Sequence, residues 1–203
     1  MPVALRWLRT LILLVVAAWL TAACAAKGDQ PDATAALQLA DGTQVGTVQF
    51  FADPNGTIGR VTLQIGADQG AVRAFHGFHV HANNNPDNGE GCIADPNADP
   101  STWFVSADGH LSDPNEQHSA HKGDFPPLLV NRDGTASATF TTDRVTPQEL
   151  IGRTVIFHAD PDNLGNVPVG AAPNQYTANS QAALDSTAAT GNAGNRLACG
   201  IIR

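Results

Sequence analysis

Gly46-Thr47-Val48-Gln49-Phe50-Phe51-Ala52-Asp53-Pro54-Asn55-Gly56-Thr57-Ile58-Gly59-Arg60-Val61-Thr62-Leu63-Gln64-Ile65 holds two stretches of strand character, 46–51 and 60–65, on either side of Asn55-Gly56. Asn-Gly supplies the positive φ that a tight hairpin turn needs. Working outward, six further stretches read as strands: 36–39, 75–81, 127–131, 136–141, 154–158 and 197–202, with Asp41-Gly42 and Asp133-Gly134 as further turn signals. Helical periodicity is nearly absent. Eight such strands predict an all-β antiparallel sandwich or barrel rather than a βαβ fold. Two connections are far longer than a turn, 82–125 and 159–195. Segments that long in a small domain are commonly functional loops. The second holds a candidate short helix around 181–184.

The composition agrees. The 203 residues include 19 Gly and 13 Pro, with 42% hydrophobic and 15% charged residues. Scattered Gly and Pro at such low charge exclude a coiled coil. Eleven basic residues face 19 acidic ones, a net charge of −8. No basic face is available for nucleic acid, nor for docking on anionic lipid.

Arg6 and Arg9 precede an apolar run, 11–20, followed by small residues, the pattern of a secretory signal. Two arginines interrupt any span long enough for a retained anchor, which needs about 18 apolar residues. Leu20-Thr21-Ala22-Ala23-Cys24 resembles a bacterial lipobox, in which Cys24 is lipidated and becomes the mature N-terminus. Cleavage after Ala25 or Ala26 would instead discard Cys24. The expected organisation is a leader over 1–24, a flexible tether over 25–34 and a domain over 35–203. The product is exported, either lipid-anchored in the cell envelope or secreted, and membrane contact is through the lipid alone. Without the leader, 9 basic residues face 19 acidic ones, a net charge of −10. Cys92 and Cys199 remain as an even pair in an oxidising setting, which predicts one disulfide.

All seven histidines lie between 76 and 158. In Phe78-His79-Val80-His81 two rings project from one strand face, a natural start for a copper or zinc site. His110 follows Asp108-Gly109. Then come His118, His121 and Asp124, a nitrogen and oxygen donor set suited to zinc. His158 ends the apolar strand 154–158, and His76 reads as structural.

Together these residues resemble the copper/zinc superoxide dismutase family. The likeness runs through Gly77 to His81, Gly91-Cys92, Gly109-His110, Gly123-Asp124, Gly152-Arg153-Thr154 to His158, and Asp162-Asn163-Leu164-Gly165. It ends in Gly191-Asn192-Ala193-Gly194-Asn195-Arg196-Leu197-Ala198-Cys199-Gly200. It implies an eight-stranded Greek-key sandwich or barrel, an architecture this family exemplifies. It also implies conversion of superoxide to oxygen and hydrogen peroxide with copper and zinc ions as cofactors. By the same likeness copper ligands are His79, His81, His110 and His158, and zinc ligands are His110, His118, His121 and Asp124. His110 bridges the two and carries a proton, Asp162 links a copper-side to a zinc-side histidine, and Arg196 orients the anion. Cys92 and Cys199 match the family disulfide.

The chain departs from the family in three places. His118 to His121 is short, which leaves open a closed zinc site or a copper-only dismutase. The run from His81 to His110 is long and reads as an insertion containing Asp95 to Pro100 and Trp103. Residues 159–195 lack the lysines that the family uses for steering, leaving Arg196 and Lys122 as nearby cations. A copper-binding module of the same fold without turnover is the competing class. A metal hydrolase would need a general-base carboxylate and an HExxH-like motif, which the sequence lacks. No feature of the sequence specifies an oligomeric state.

Overall fold

The hairpin around Asn55 forms in the computed structural model, which describes residues 30–166 and 181–203. Strands β2 (Gln44–Asp53) and β3 (Gly56–Gln64) pair antiparallel, from Gly46 opposite Leu63 to Asp53 opposite Gly56. Val61 and Leu63 are buried while Arg60, Thr62 and Gln64 are exposed, the alternation of a sheet with one face on a core. β1 (Ala33–Gln38) pairs with β2, and β7 (Thr135–Thr142) pairs with β3. β9 (Arg196–Ile201) meets β1 at Gln38 opposite Cys199 and pairs on its other side with β8 (Thr154–His158), which pairs with β5 (Phe78–His81). The order β5-β8-β9-β1-β2-β3-β7 makes one antiparallel half-barrel. A second sheet joins β4 (Ala74–His76) to β6 (Leu128–Val130).

The chain has nine strands among its described residues, not eight, because the strand expected over 75–81 is broken at Gly77. There the N–H donates to Asp160 at 3.0 Å and the carbonyl accepts from His158 at 2.9 Å. A Cβ at Gly77 would come within 2.5 Å of the Ala193 side chain, so the backbone approaches as only glycine allows. β4 and β5 therefore serve different sheets.

Two further boundaries differ from expectation. β1 starts at Ala33, and Thr34 exchanges both backbone hydrogen bonds with Arg203 at 2.8 Å, so Ala33 and Thr34 are sheet rather than tether. The short helix expected near 181–184 runs the length of α2 (Gln181–Thr190), whereas α1 (Pro147–Leu150) is one turn held by a Thr146–Glu149 capping box. The leader over 1–24, Cys24 and the tether up to residue 29 lie outside the described residues. Among the described residues no helix is long and apolar enough to cross a membrane.

The main core lies on one face of the half-barrel, where Phe50, Phe78, Val80, Val155 and Phe157 are fully buried. Phe125, at the end of the first long loop, sits among Phe50, Phe78 and Phe140 with ring centroids 6.0, 6.1 and 4.8 Å away. That loop is thus fastened at its end by apolar burial, about 2–3 kcal/mol for a phenylalanine.

A second, smaller cluster forms around the predicted disulfide. Cys92 and Cys199 are bonded, with Cα atoms 5.5 Å apart. Phe104, Ala107, Ile156 and Cys199 are buried together, with Trp103 and Ala94 packed against them. The Asp95–Trp103 insertion contributes to this cluster, and Trp103 Nε1 donates to the Asp95 carbonyl at 2.9 Å. Because the bond closes 107 residues, replacing both cysteines by serine should lower unfolding free energy by about 2–5 kcal/mol. Urea denaturation of the metal-free proteins measures it; a change below about 1 kcal/mol would contradict the stapling role.

Candidate metal centre

β5 is the edge strand of the half-barrel, yet its edge is covered. Val80 N–H donates to the Gly123 carbonyl and the Val80 carbonyl accepts from Leu111 N–H, both at 2.8 Å. Ala82 N–H reaches the Gly109 carbonyl at 2.8 Å, and Gly123 N–H reaches Leu111 at 2.8 Å. Two pieces of the first long loop thereby extend the sheet, placing Asp124 opposite His79 and His110 opposite His81. Alternation does the rest: Phe78 and Val80 enter the core, while His79 and His81 project from the other face, and all four are buried.

His158, at the end of β8, completes this group after a register shift in the pairing with β9. His79, His81, His110 and His158 each offer a ligand atom, and these atoms lie within 4.8 Å of one another. Three of these rings are oriented through their other nitrogen. His79 Nε2 is 2.8 Å from Asp162, His81 Nδ1 is 2.8 Å from the Asp108 carbonyl, and His158 Nδ1 is 3.2 Å from the Gly194 carbonyl. Such outer contacts fix ring tautomer and aim.

A second group contains His79, His110, His118 and Asp124, again within 4.8 Å. His121 approaches it through Nδ1, 3.3 Å from His110 Nδ1 and 3.4 Å from Asp124 Oδ2. His121 is not among the four residues of that group, and the turn between it and His118 is held from outside. Ser119 takes φ 72°, and Arg144 donates to the carbonyls of Ser119 and His121 at 3.3 and 3.1 Å. His118 itself is held by the α2 carbonyl of Ala188 at 2.9 Å and by Asn166 at 2.7 Å. Neither Arg144 nor Asn166 carries a signal in the sequence that would have marked it.

Asp162 joins the two groups, with Oδ2 on His79 and Oδ1 3.0 Å from His118 Nε2, its side chain fully buried. Gly191 (φ 59°) leaves room for this pair, since a Cβ there would strike both His118 and Asp162. His76, as expected, stands outside both groups and contacts the carbonyls of His158 and Ala71 at 3.1 and 2.9 Å.

The donor set fits metal ions. His79 Nδ1, His110 Nε2 and His118 Nδ1 are buried without a hydrogen-bond partner in the protein, an arrangement that costs free energy unless something else binds there. Burial lowers His110 to a pKa of about 4, and burial with neighbouring histidines holds His81 and His158 well below the ordinary value. Neutral rings are the ligand form. Burial opposes protonation of His118 too, but Asp162 and Asp124 outweigh it and raise its pKa. Burial of Asp162 and Asp124 is likewise outweighed by their histidine partners, which hold both carboxyls below the ordinary range.

Arg196 lies beside this centre. Its Nη2 donates to the Asp108 carbonyl at 2.6 Å, and its Nη1 donates to the Phe104 carbonyl. Lys122, the other expected local cation, forms an ion pair with Asp113 at 2.9 Å and also feels Glu149 and Glu116.

Comparison with known proteins agrees with this geometry. A family model described as copper/zinc superoxide dismutase (SODC) matches residues 44–202. The chain is 34% identical over 185 residues to the superoxide dismutase [Cu-Zn] of Mycolicibacterium paratuberculosis, spanning 89% of this chain and 78% of that protein. It is 33% identical to superoxide dismutase [Cu-Zn] 2 of Brassica juncea, spanning 83% of this chain and 94% of that one. The solved structure of Cu/Zn superoxide dismutase from Brucella abortus shares the fold, with a TM-score of 0.57 and 24% identity over 85% of this chain and all of its own. The chain belongs to the copper/zinc superoxide dismutase family.

The shifted histidines set an acid limit on the metal-free protein. A histidine whose folded pKa is lowered contributes nothing against folding above about pH 6.5, but below it the unfolded chain binds a proton that the native site refuses. His81, His110 and His158 act in this sense and His118 in the opposite one. Unfolding free energy should therefore fall between pH 6.5 and about 4, ahead of protonation of Asp124 and Asp162. Urea titrations at pH 7, 5.5 and 4.5 check this, and equal stability at all three would be the contrary result.

Proposed function

We propose that this chain converts superoxide to oxygen and hydrogen peroxide, with copper held by His79, His81, His110 and His158. In the same reading zinc is held by His110, His118, His121 and Asp124. His79 and His110 both belong to the two donor groups, but Asp162 occupies the second nitrogen of His79. The observation that supports the reading most is therefore that His110 has a nitrogen for each group. Its Nδ1 is 2.8 Å from Asp124, leaving Nε2, buried and without a partner, for the other group.

When bound, copper supplies a one-electron redox couple and zinc a fixed charge that does not cycle. The chain's own residues do the remainder. Asp162, Asp108 and Gly194 hold the rings of His79, His81 and His158 so that one nitrogen of each faces the centre. Arg196 binds and orients the small anion. Two carbonyls fix its plane, and its five N–H donors exceed those two acceptors. His110 Nε2 would take up a proton only when it is released from copper, and it is then the atom placed to pass that proton to the departing reduced product. Pairing of Lys122 with Asp113 weakens any long-range draw on the anion, so orientation close to the centre falls to Arg196.

A copper-binding module would have no use for an arginine held this way, which favours turnover. The meeting of His118 and Asp124 in one donor group with His110, and of His121 Nδ1 with Asp124 at 3.4 Å, favours zinc over a copper-only enzyme. Superoxide decay with the metal-loaded protein tests the reading. His158→Ala should abolish turnover while the sheet stays folded, and Arg196→Ala should lower it about tenfold or more. Bound copper without turnover would mean the binding module; full activity with copper and no zinc would mean the copper-only form.

Location belongs to the same proposal and rests on the sequence of the leader. The chain is exported and held at the cell envelope through lipid on Cys24. Because one acyl chain gives only marginal attachment, Cys24 should carry at least two. Mass spectrometry of the mature protein should find the modified cysteine at the N-terminus, and Cys24→Ser should release the protein from detergent phase. An unmodified N-terminus at Ala26 or Lys27 would overturn it.

A further inference from the structure

Asp108 has φ 64° and ψ −158°, a backbone conformation that glycine alone occupies freely. Its carboxylate accounts for its being there. Oδ2 accepts the N–H groups of Asn84 and Asn85 at 2.6 and 2.9 Å, and Oδ1 accepts from Asn88 Nδ2 at 2.5 Å. These partners lie in the loop just after β5. Hydrogen bonds to an ionised carboxylate are among the stronger ones, and they hold a strained backbone that would otherwise relax. The carbonyl of the same residue accepts from both His81 Nδ1 at 2.8 Å and Arg196 Nη2 at 2.6 Å. One strained residue therefore sits between a surface brace and two groups of the centre.

We propose that the Asp108 side chain is a positioning residue: by binding the 84–88 loop it fixes the carbonyl that aims Arg196 and the His81 ring at the anion site. This rests on the reading of that site given above. Charge alone predicts the opposite effect, because the Asp108 carboxylate faces the Arg196 guanidinium and partly offsets its attraction for an anion.

Azide, a linear monoanion, serves as the probe on the copper- and zinc-loaded protein, followed by absorption. Thermal midpoint and amide hydrogen exchange at Asn84 and Asn85 are read on the same samples. In Asp108→Gly the strain is relieved as the brace is lost, so the midpoint should fall by no more than about 5 °C. The two amides should exchange faster. Azide affinity should drop about fivefold, roughly the effect of one lost hydrogen bond, although a negative charge has been removed. Asp108→Asn, which keeps an acceptor for the backbone amides, should bind azide at least as well as the wild type. Asn88→Ala, with the charge intact, should weaken azide about twofold.

Azide bound as tightly by Asp108→Gly as by the wild type would overturn the proposal, leaving Asp108 a mere charge. Should Asp108→Gly fail to fold, unchanged affinity in Asn88→Ala would overturn it equally. Failure of the underlying reading looks different: the wild type itself would not bind azide, or Arg196→Ala would not weaken the binding.

Discussion

The free edge of β5 is the constraint on which the centre depends. A four-residue strand with both faces buried has unpaired backbone groups on its outer side, and buried unpaired groups are expensive. Here residues 109–111 and 123–125 supply the partners. The same hydrogen bonds that satisfy the edge carry His110 and Asp124 into place opposite His81 and His79. A need of the fold and a need of the site are met by one set of bonds. Phe125 and the Cys92–Cys199 bond then fasten the loop at two points, one through the core and one through β9. The loop consequently behaves as part of the sheet.

The centre itself is a dense polar cluster in which ring nitrogens and carboxylates are buried together. Such a cluster is stable only when every donor and acceptor has a partner. Asp162 and Asp124 each lie within 3.4 Å of a nitrogen on two rings, four in all, and carbonyls of Asp108 and Gly194 contact two more. The nitrogens left without partners lie in the two donor groups, which is why the cluster suits metal ions, and His81, His110 and His158 resist protonation whereas His118 favours it. Around it the chain is strongly acidic, and Lys122 is taken up by Asp113. Beyond a Debye length, about 8–10 Å, the net charge of the chain opposes an anion.

Much was legible without a structure because the periodicities involved are local. Alternation along β3, turn glycines, the His79–His81 pair and the even cysteine count each depend on a few neighbouring residues. The resemblance to the superoxide dismutase family carried the long-range assignments: His158 with His79, Asp162 between two histidines, Arg196 beside them. The break at Gly77 was not legible, because it arises from the approach of Ala193, more than a hundred residues away. The sequence marks the extra length before His110 as an insertion but does not give its purpose. Folded, it packs Trp103 and Phe104 beside the disulfide and offers the Phe104 carbonyl to Arg196.

The sequence by itself determined the strand pattern, the two long loops, the donor residues and the cysteine pair, since these follow from residue type and short spacing. Only the tertiary structure decided which loop atoms lie against β5, how Arg144 and Asn166 hold the turn from His118 to His121, and that the Asp108 carbonyl sits between His81 and Arg196. Those contacts join residues far apart in the chain, and a hydrogen bond across such a distance leaves no periodic trace in the residues that make it.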